Sequence, residues 1–275
     1  MSKIISYAIF GSGTIPTEKM FEFNAYMRGL VWNVKFNRLL FPGWVTHIEV
    51  DSKTFSDYDN IFHGLRDMYG CTFAINEQLP LCKAMYTRMK GIYLPHAEYV
   101  MCRDADSLTS YREAQAVYAF IESGLDIHCI TDNPAHGIPL MGGLSAFKCQ
   151  PVKEKYPVWQ AMTTQVRNLE WPRGMDQTLL NDLFYTPEYK SRMYGHYLQG
   201  FKGHGEAIIK NEIENVSLPG VDPKLWETNL CMRHIGSAGV VDLEVLRQLA
   251  RFDKEIPEFE SICKRYPKIF YWHNA

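Results

Sequence analysis

Two aspartates, Asp104 and Asp106, follow directly after an apolar run at residues 99–102. The run predicts a strand, and side chains at positions i and i+2 of an extended chain point the same way. The two carboxylates can therefore share one hard cation, and their oxygens suit Mg²⁺ or Mn²⁺, whose coordination is often completed by substrate phosphates. The structural alternative is that Asp106 or Ser107 caps the helix that follows, because Asp and Ser favour turns and helix N-caps.

Strand patterns and helix patterns alternate along the chain around this pair. This alternation predicts an α/β fold with a mostly parallel central sheet flanked by helices. Ligands bind such sheets at the C-terminal ends of the strands, which is where the aspartates fall. The predicted strands are 3–10, 44–50, 71–75, 99–102, 127–130, 139–147 and 228–235, and the predicted helices are 21–40, 55–69, 79–94, 108–123, 159–169 and 175–184.

Bulk properties narrow the class of protein. The chain has 275 residues, 46% of them apolar, and a formal net charge of −2, which excludes a general nucleic-acid binder or a polybasic membrane surface. Its 7 cysteines are scattered singly, without a C-x-x-C pair, as is typical of a reducing compartment. No apolar run approaches the roughly 20 residues of a membrane span, so we expect a soluble, cytoplasmic protein.

Further candidates flank the first two strands. Phe10 and Gly11 open a glycine-containing turn that would let the backbone approach a nucleotide, although an ordinary surface turn fits equally well. Asp51 ends the second strand, where it would bond a base or ribose, or simply stabilise a turn.

Three later stretches also carry polar or glycine signals. Gly142 and Gly143 interrupt a strand pattern, as happens where a ligand or another backbone comes close. Asp176 and Gln177 begin a helix, and Asp176 would serve as its N-cap unless it faces a ligand. His234 ends a strand pattern at residues 228–235.

The order of these motifs resembles the GT-A fold glycosyltransferases, with glycosyltransferase family 8 as the nearest pattern. It is also similar to a group of small bacterial and viral proteins with Arg-Asp-x-Asp-Ser, Arg-Glu, Gly-Gly and Asp-Gln motifs. The resemblance covers roughly residues 3–240. The pattern along the chain predicts a break near 240, which divides a domain at 1–240 from a small C-terminal helical extension at 241–275. The matching motifs are residues 103–107, Arg112-Glu113, Gly142-Gly143 and Asp176-Gln177.

The resemblance implies a metal-dependent transfer from a nucleotide-diphosphate sugar, most often a UDP-sugar, to a glycan or sugar acceptor. Asp104 and Asp106 would hold Mn²⁺ or Mg²⁺, with His234 as a third ligand. His196 and His204 are the alternatives, because the chain has His-Ile-Gly-Ser-Ala-Gly where the family has a longer pattern. The implied donor-binding residues are Phe10, Gly11, Asp51, Arg88, Arg103, Asp104, Ala105, Asp106, Gly142 and Gly143.

Asp176 and Gln177 match the pair that faces the transferred sugar and the acceptor. Asp176 beside the acceptor hydroxyl would act as a general base and invert the anomeric centre, whereas under the sugar ring it would stabilise oxocarbenium-like charge and give retention. Two other classes remain open. A nucleotidyltransferase needs a basic glycine-rich loop after the first strand, and here residues 10–18 contain no Lys or Arg; a glycan-binding scaffold would retain the fold without catalysis.

Overall fold

The computed structural model describes residues 1–14, 20–79, 81–109, 111–131, 136–163, 174–198 and 214–218. Strands within these ranges form one 8-stranded sheet in the order β3-β2-β1-β4-β6-β5-β7-β8. The strands are β1 Ser2–Ile9, β2 Val45–Asp51, β3 Thr72–Asn76, β4 Ala97–Arg103, β5 Ile127–Thr131, β6 Leu144–Lys148, β7 Met193–Leu198 and β8 Glu214–Leu218.

Strand directions confirm the predicted fold class. β1 pairs in parallel with β2 and β4, and β5 pairs in parallel with β7. Among the described strands only β6 runs the other way, antiparallel to both β4 and β5. The helices are α1 Met20–Leu40, α2 Ser52–Asp57, α3 Asp59–Tyr69, α4 Leu81–Tyr86, a 3₁₀ helix Thr87–Tyr93, α5 Tyr111–Ser123, α6 Cys149–Lys155, α7 Trp159–Thr163, α8 Met175–Phe184 and α9 Pro187–Lys190.

Alternate side chains of β4 enter two different cores. Tyr99 and Met101 pack with the apolar side chains of α1, α3 and α5 on one face of the sheet. Val100 and Cys102 pack on the other face, with the 3₁₀ helix, α6 and α8. Both faces of β4 are buried, which explains the unbroken apolar run from which this strand was predicted.

Two elements differ in the structure from what the sequence predicted. The expected helix at 79–94 divides into α4 and the 3₁₀ helix, where the Thr87 hydroxyl donates to the Ala84 carbonyl at 2.6 Å and competes for an acceptor of the α-helical ladder. The strand expected at 139–147 begins only at Leu144, because Leu144 N–H donates to the Met141 carbonyl at 3.1 Å and closes a turn containing both glycines.

Several predictions concern residues outside the described ranges. These are the strand at 228–235, the domain boundary at 240 and the helical extension at 241–275, and all three remain predictions. In the part of the chain that the structure describes, every helix is too short or too polar to cross a lipid bilayer.

Candidate active site

A single buried guanidinium joins two of the predicted acidic residues. Arg88, on the 3₁₀ helix, donates through Nη1 to Oδ1 of Asp104 and through Nη2 to Oδ2 of Asp176 at 2.7 Å. Asp104 follows the C-terminal end of β4, and Asp176 lies in the first turn of α8. The fold therefore brings together three residues that lie far apart in the sequence.

The aspartate pair is suited to a divalent cation. Burial, with the neighbouring Asp104 carboxylate adding to it, raises the pKa of Asp106 to about 6. Two close carboxylates of this kind lower their mutual repulsion by sharing a cation, and their hard oxygens fit Mg²⁺ or Mn²⁺. Helix α5 begins at Tyr111, so the alternative that Asp106 or Ser107 is its N-cap is wrong.

The two glycines pack directly against these acidic groups. A Cβ on Gly142 would lie 2.3 Å from Nη2 of Arg88, and one on Gly143 would lie 2.0 Å from Oδ2 of Asp104. No real Cβ contact is that short, so any larger residue displaces the Arg88 or Asp104 side chain. The glycines therefore permit a close approach of the Arg88 and Asp104 side chains, whereas the sequence pattern predicted the approach of a ligand or another backbone.

Arg103 fixes the same region from below the surface. Its side chain is fully buried; Nη1 donates to the Gly143 carbonyl at 2.9 Å and Nη2 to the Ser107 carbonyl at 3.1 Å. Nε lies 3.1 Å from Oε1 of Glu113 on α5, which is also buried. Arg103 thus ties the aspartate loop to the glycine turn, and its predicted contact with a donor stays a prediction.

Two asparagines that the sequence reading did not assign to the site anchor its loops. Asn33 on α1 donates to the Ala105 carbonyl at 3.1 Å and accepts from Thr109 N–H at 2.8 Å. Asn181 on α8 accepts from Leu140 N–H at 3.1 Å and donates to the Leu140 carbonyl at 2.9 Å. The sequence signal that could have identified Asn33 is its polar side chain on the buried face of an apolar helix.

The ends of β1 and β2 meet through Asp51. Its Oδ2 accepts from Gly11 N–H at 2.8 Å and from the Thr54 hydroxyl at 2.7 Å, and its Oδ1 accepts from Thr54 N–H at 2.8 Å. Asp51 is therefore the N-cap of α2. Ser12 N–H donates to the Thr54 hydroxyl at 3.1 Å, and Phe10 is buried beside them. The nucleoside contacts predicted for Phe10, Gly11 and Asp51 remain predictions.

The start of α8 differs from the capping alternative. Its N-cap is Gly174, at φ +84°, so Asp176 is free of that role and reaches Arg88 instead. Gln177 follows in the same turn, half-buried. The roles of Asp176 and Gln177 toward a sugar are still predictions.

The histidines expected as metal ligands divide into two cases. His234 and His204 lie outside the described residues. His196 is buried on β7, and its Nδ1 lies 2.7 Å from Nε2 of His128 on β5. Burial lowers the pKa of His196 to about 4 and holds that of His128 well below its ordinary value. Nδ1 of His196 is thus already occupied by a neutral partner in the core.

A second polar cluster contacts the same 3₁₀ helix. Nζ of Lys90 lies 3.5 Å from Oε2 of Glu49 on β2, and that oxygen also accepts from Asn76 Nδ2 at 2.8 Å. The other carboxylate oxygen of Glu49 lies 3.1 Å from Nε2 of His47, whose Nδ1 contacts the Thr72 hydroxyl at 2.9 Å. Both oxygens of Glu49 therefore have partners within the protein.

Comparison with known proteins yields structural matches only. No protein-family model matches the sequence, and no curated protein matches it. A 4-diphosphocytidyl-2C-methyl-D-erythritol synthase from Anaerococcus prevotii aligns over 85% of this chain and 96% of its own, at 10% identity and a TM-score of 0.43.

Two glycosyltransferases also align with the chain. GlyE of Streptococcus pneumoniae matches at 11% identity and a TM-score of 0.44, over 70% of this chain and 44% of its own. The mannosyltransferase PcManGT of Pyrobaculum calidifontis, solved with GDP-Man and Mn²⁺, matches at 13% identity and a TM-score of 0.39, over 56% of this chain and 46% of its own. The chain spans less than half of either glycosyltransferase, and the fold assignment rests on its own strand order and directions.

Proposed function

We propose that the protein is a divalent-metal-dependent glycosyltransferase, moving a sugar from a nucleotide-diphosphate sugar to a hydroxyl of a glycan or sugar acceptor. The observation that carries this proposal is the Arg88 bridge between Asp104 and Asp176 beneath the glycine turn. The bridge supports the proposal because the carboxylate that would hold the metal and the carboxylate that would face the sugar both contact one cationic side chain.

Asp104 and Asp106 would hold Mn²⁺ or Mg²⁺, which when bound acts as a Lewis acid toward the departing nucleoside diphosphate. Arg88 would donate to the same phosphates, and its position beside Asp104 supports this role. As the resemblance implies, Gly142 and Gly143 would let the sugar lie close to the backbone, beside the Arg88 and Asp104 side chains that pack against them. Asp176 then meets either the acceptor hydroxyl or the reacting sugar carbon, and these two positions give inversion or retention.

The nucleoside end of the donor would lie at the ends of β1 and β2, near Phe10, Gly11 and Asp51. The amides of this turn argue against the nucleotidyltransferase alternative. Gly11 N–H and Ser12 N–H already donate to Asp51 and Thr54, and Thr14 N–H donates to the Gly11 carbonyl at 3.0 Å. A triphosphate loop needs such amides to point at the ligand.

Product analysis with a panel of UDP- and GDP-sugars tests the proposal. We expect nucleoside diphosphate to be released from one donor with Mn²⁺ and not with EDTA. Asp104→Asn abolishes this release, whereas Asp67→Asn, on the exposed surface of α3, leaves it unchanged. Pyrophosphate as the product, or no product together with no thermal stabilisation by any donor, overturns the proposal; a ligand at 100 times its Kd adds about 2.7 kcal/mol.

A further inference from the structure

The contacts of Arg88 raise a question of charge that the proposed function leaves open. Arg88 is only 4% exposed, yet its one positive charge faces Asp104 and Asp176 directly, with Asp106 close by. Nη1 takes Oδ1 of Asp104, and Oδ2 of Asp104 packs against Gly143. Oδ1 of a predicted metal ligand is therefore already bound by the protein itself, although the Asp104 side chain is still 38% exposed.

We propose that Arg88 competes with the metal for the Asp104 carboxylate, an inference that rests on the proposed function. A divalent cation takes Asp104 from Arg88, the released arm of Arg88 then binds the donor diphosphate, and metal therefore binds before donor. Arg88 acts here as a switch between two ligands: a carboxylate of the protein and a phosphate of the substrate.

Charge supports this order. An arginine side chain carries donors only and keeps its positive charge, so it repels a divalent cation that shares its carboxylate. The cation brings two charges to Asp104 and Asp106, where Arg88 brings one to Asp104 and Asp176. Once the cation holds Asp104, the arm of Arg88 at Nη1 has lost its acceptor, and a diphosphate oxygen supplies a new one.

Geometry allows the arm to move while its base stays fixed. Nη2 keeps its 2.7 Å contact with Asp176, which is itself buried at the start of α8. The guanidinium lies against Gly142, where the missing Cβ leaves it space. Two residues along the same 3₁₀ helix, Lys90 contacts Glu49 and so holds the helix to β2.

Titration with Mn²⁺ alone, without any nucleotide, tests the proposal on the full chain. We expect Arg88→Gln to bind Mn²⁺ at least tenfold more tightly than the wild type, because Asp104 is released from its competitor. The same variant should bind UDP at least tenfold more weakly at saturating Mn²⁺, since the phosphate loses its arginine. Isothermal calorimetry and the electron paramagnetic resonance signal of free Mn²⁺ report both affinities.

Two controls separate competition from a general change of charge. Lys90→Gln removes one positive charge from the same helix but touches Glu49 and Asn76 rather than Asp104, and should change Mn²⁺ affinity less than twofold. Arg88→Gln/Asp176→Asn keeps the wild-type net charge, and also avoids a buried unpaired carboxylate if the single variant folds poorly. It should still bind Mn²⁺ at least tenfold more tightly.

An unchanged or weaker Mn²⁺ affinity in the double variant overturns the proposal, and so does equal tightening in Lys90→Gln. Tight binding of UDP to the wild type without metal contradicts the binding order. These results are independent of catalysis: a failure to release nucleoside diphosphate from any donor rejects the proposed function, while the titration with Mn²⁺ alone still decides whether Arg88 competes for Asp104.

Discussion

Arg88 and Lys90 lie on one 3₁₀ helix and belong to two polar clusters that differ in burial and in charge balance. Lys90, with Asn76 and His47, surrounds a Glu49 carboxylate that is 1% exposed. Arg88 joins Asp104 to Asp176, and the Asp104 side chain is still 38% exposed. The first cluster is closed, with its one carboxylate fully partnered, whereas the second remains open on the side of Asp104.

The difference lies in the balance of charge. One lysine faces one glutamate in the closed cluster, while one arginine faces Asp104 and Asp176 in the open cluster, with Asp106 next to them. A buried polar network whose groups are all satisfied stabilises one packing, whereas surplus carboxylate at a strand end favours a cation. Substitutions in the closed cluster should therefore change stability, and substitutions in the open cluster should change binding.

Glu49→Ala is expected to have the largest effect. It leaves Lys90, Asn76 and His47 without their common acceptor, and removing one member of a buried ion pair costs about 3–5 kcal/mol. Urea unfolding followed by circular dichroism measures the loss.

The matched control is Glu154→Ala, on the exposed surface of α6, which should change stability by less than about 0.5 kcal/mol. Mn²⁺ affinity of folded Glu49→Ala should stay within twofold of the wild type. A large loss of Mn²⁺ affinity with little loss of stability would remove the distinction between the two clusters.

The His128–His196 pair, on the opposite face of the sheet, is a third polar cluster for comparison. It is buried like the closed cluster but contains no charged group. Folded His196 has a pKa of about 4, and that of His128 is lower than its ordinary value as well, whereas the unfolded chain protonates both near 6.5. The unfolded chain therefore binds more protons below pH 6.5, and stability falls as pH drops from 6.5 toward 4, by about 1.4 kcal/mol per pH unit for each ring.

Unfolding free energies measured between pH 7 and 4.5 check this dependence. His196→Gln should make the slope shallower by about one proton, because one titrating ring is gone and the amide can still bond His128. His63→Gln, on the exposed surface of α3, is the control for replacing a histidine with glutamine outside the buried pair. A slope equal to that of the wild type in His196→Gln would show that other groups titrate.

Gly143→Ala tests the open cluster at a smaller energy. The new Cβ would lie 2.0 Å from Oδ2 of Asp104, so the carboxylate has to turn away from its present position. We expect Mn²⁺ affinity to fall by about 10- to 100-fold, equivalent to roughly 1.4–2.7 kcal/mol, with a smaller change in stability.

Gly137→Ala is the matched substitution, because a Cβ there meets nothing within 4 Å. It should bind Mn²⁺ as the wild type does. Equal affinities for Gly143→Ala and the wild type would show that Asp104 does not take part in metal binding.

Lys53→Ala sets the lower limit of the scale. Lys53 pairs with Asp57 one turn along α2, and its side chain is 58% exposed. Exposed pairs of this kind contribute less than about 0.5 kcal/mol, so the urea midpoint should hardly change. A larger change would show that the Lys53–Asp57 pair contributes to stability as the buried networks do.

Local pattern was sufficient to predict much of the framework. The apolar run before Asp104 predicted β4, and the helix expected at 175–184 is α8, Met175–Phe184. β4 was predictable because both of its faces are buried, and α8 because its buried side chains recur at helical spacing. The direction of β6 was not, since an apolar segment reads alike for either orientation and the sheet partner decides it.

The sequence singled out candidate site residues but not the contacts between them. Asp104, Asp176 and Arg88 were each singled out, yet their mutual bridge depends on the packing of the 3₁₀ helix and α8, which no spacing encodes. The sequence also did not show that Arg103 is fully buried and donates to the Gly143 and Ser107 carbonyls, and its contact with a donor stays a prediction. A charged side chain beside a motif does not show from sequence whether it faces the ligand or the core.

The reversed direction of β6 has a consequence for how such a site can diversify. Because β6 runs antiparallel beside β4, Leu144 pairs with Arg103, so the start of one strand adjoins the end of the other. The aspartate loop leaves the sheet where the glycine turn enters it. If the proposed function holds, residues ahead of Gly142 can therefore change in length or composition, and with them the sugar that would be accepted, while the strands, Asp104 and Asp106 keep their places.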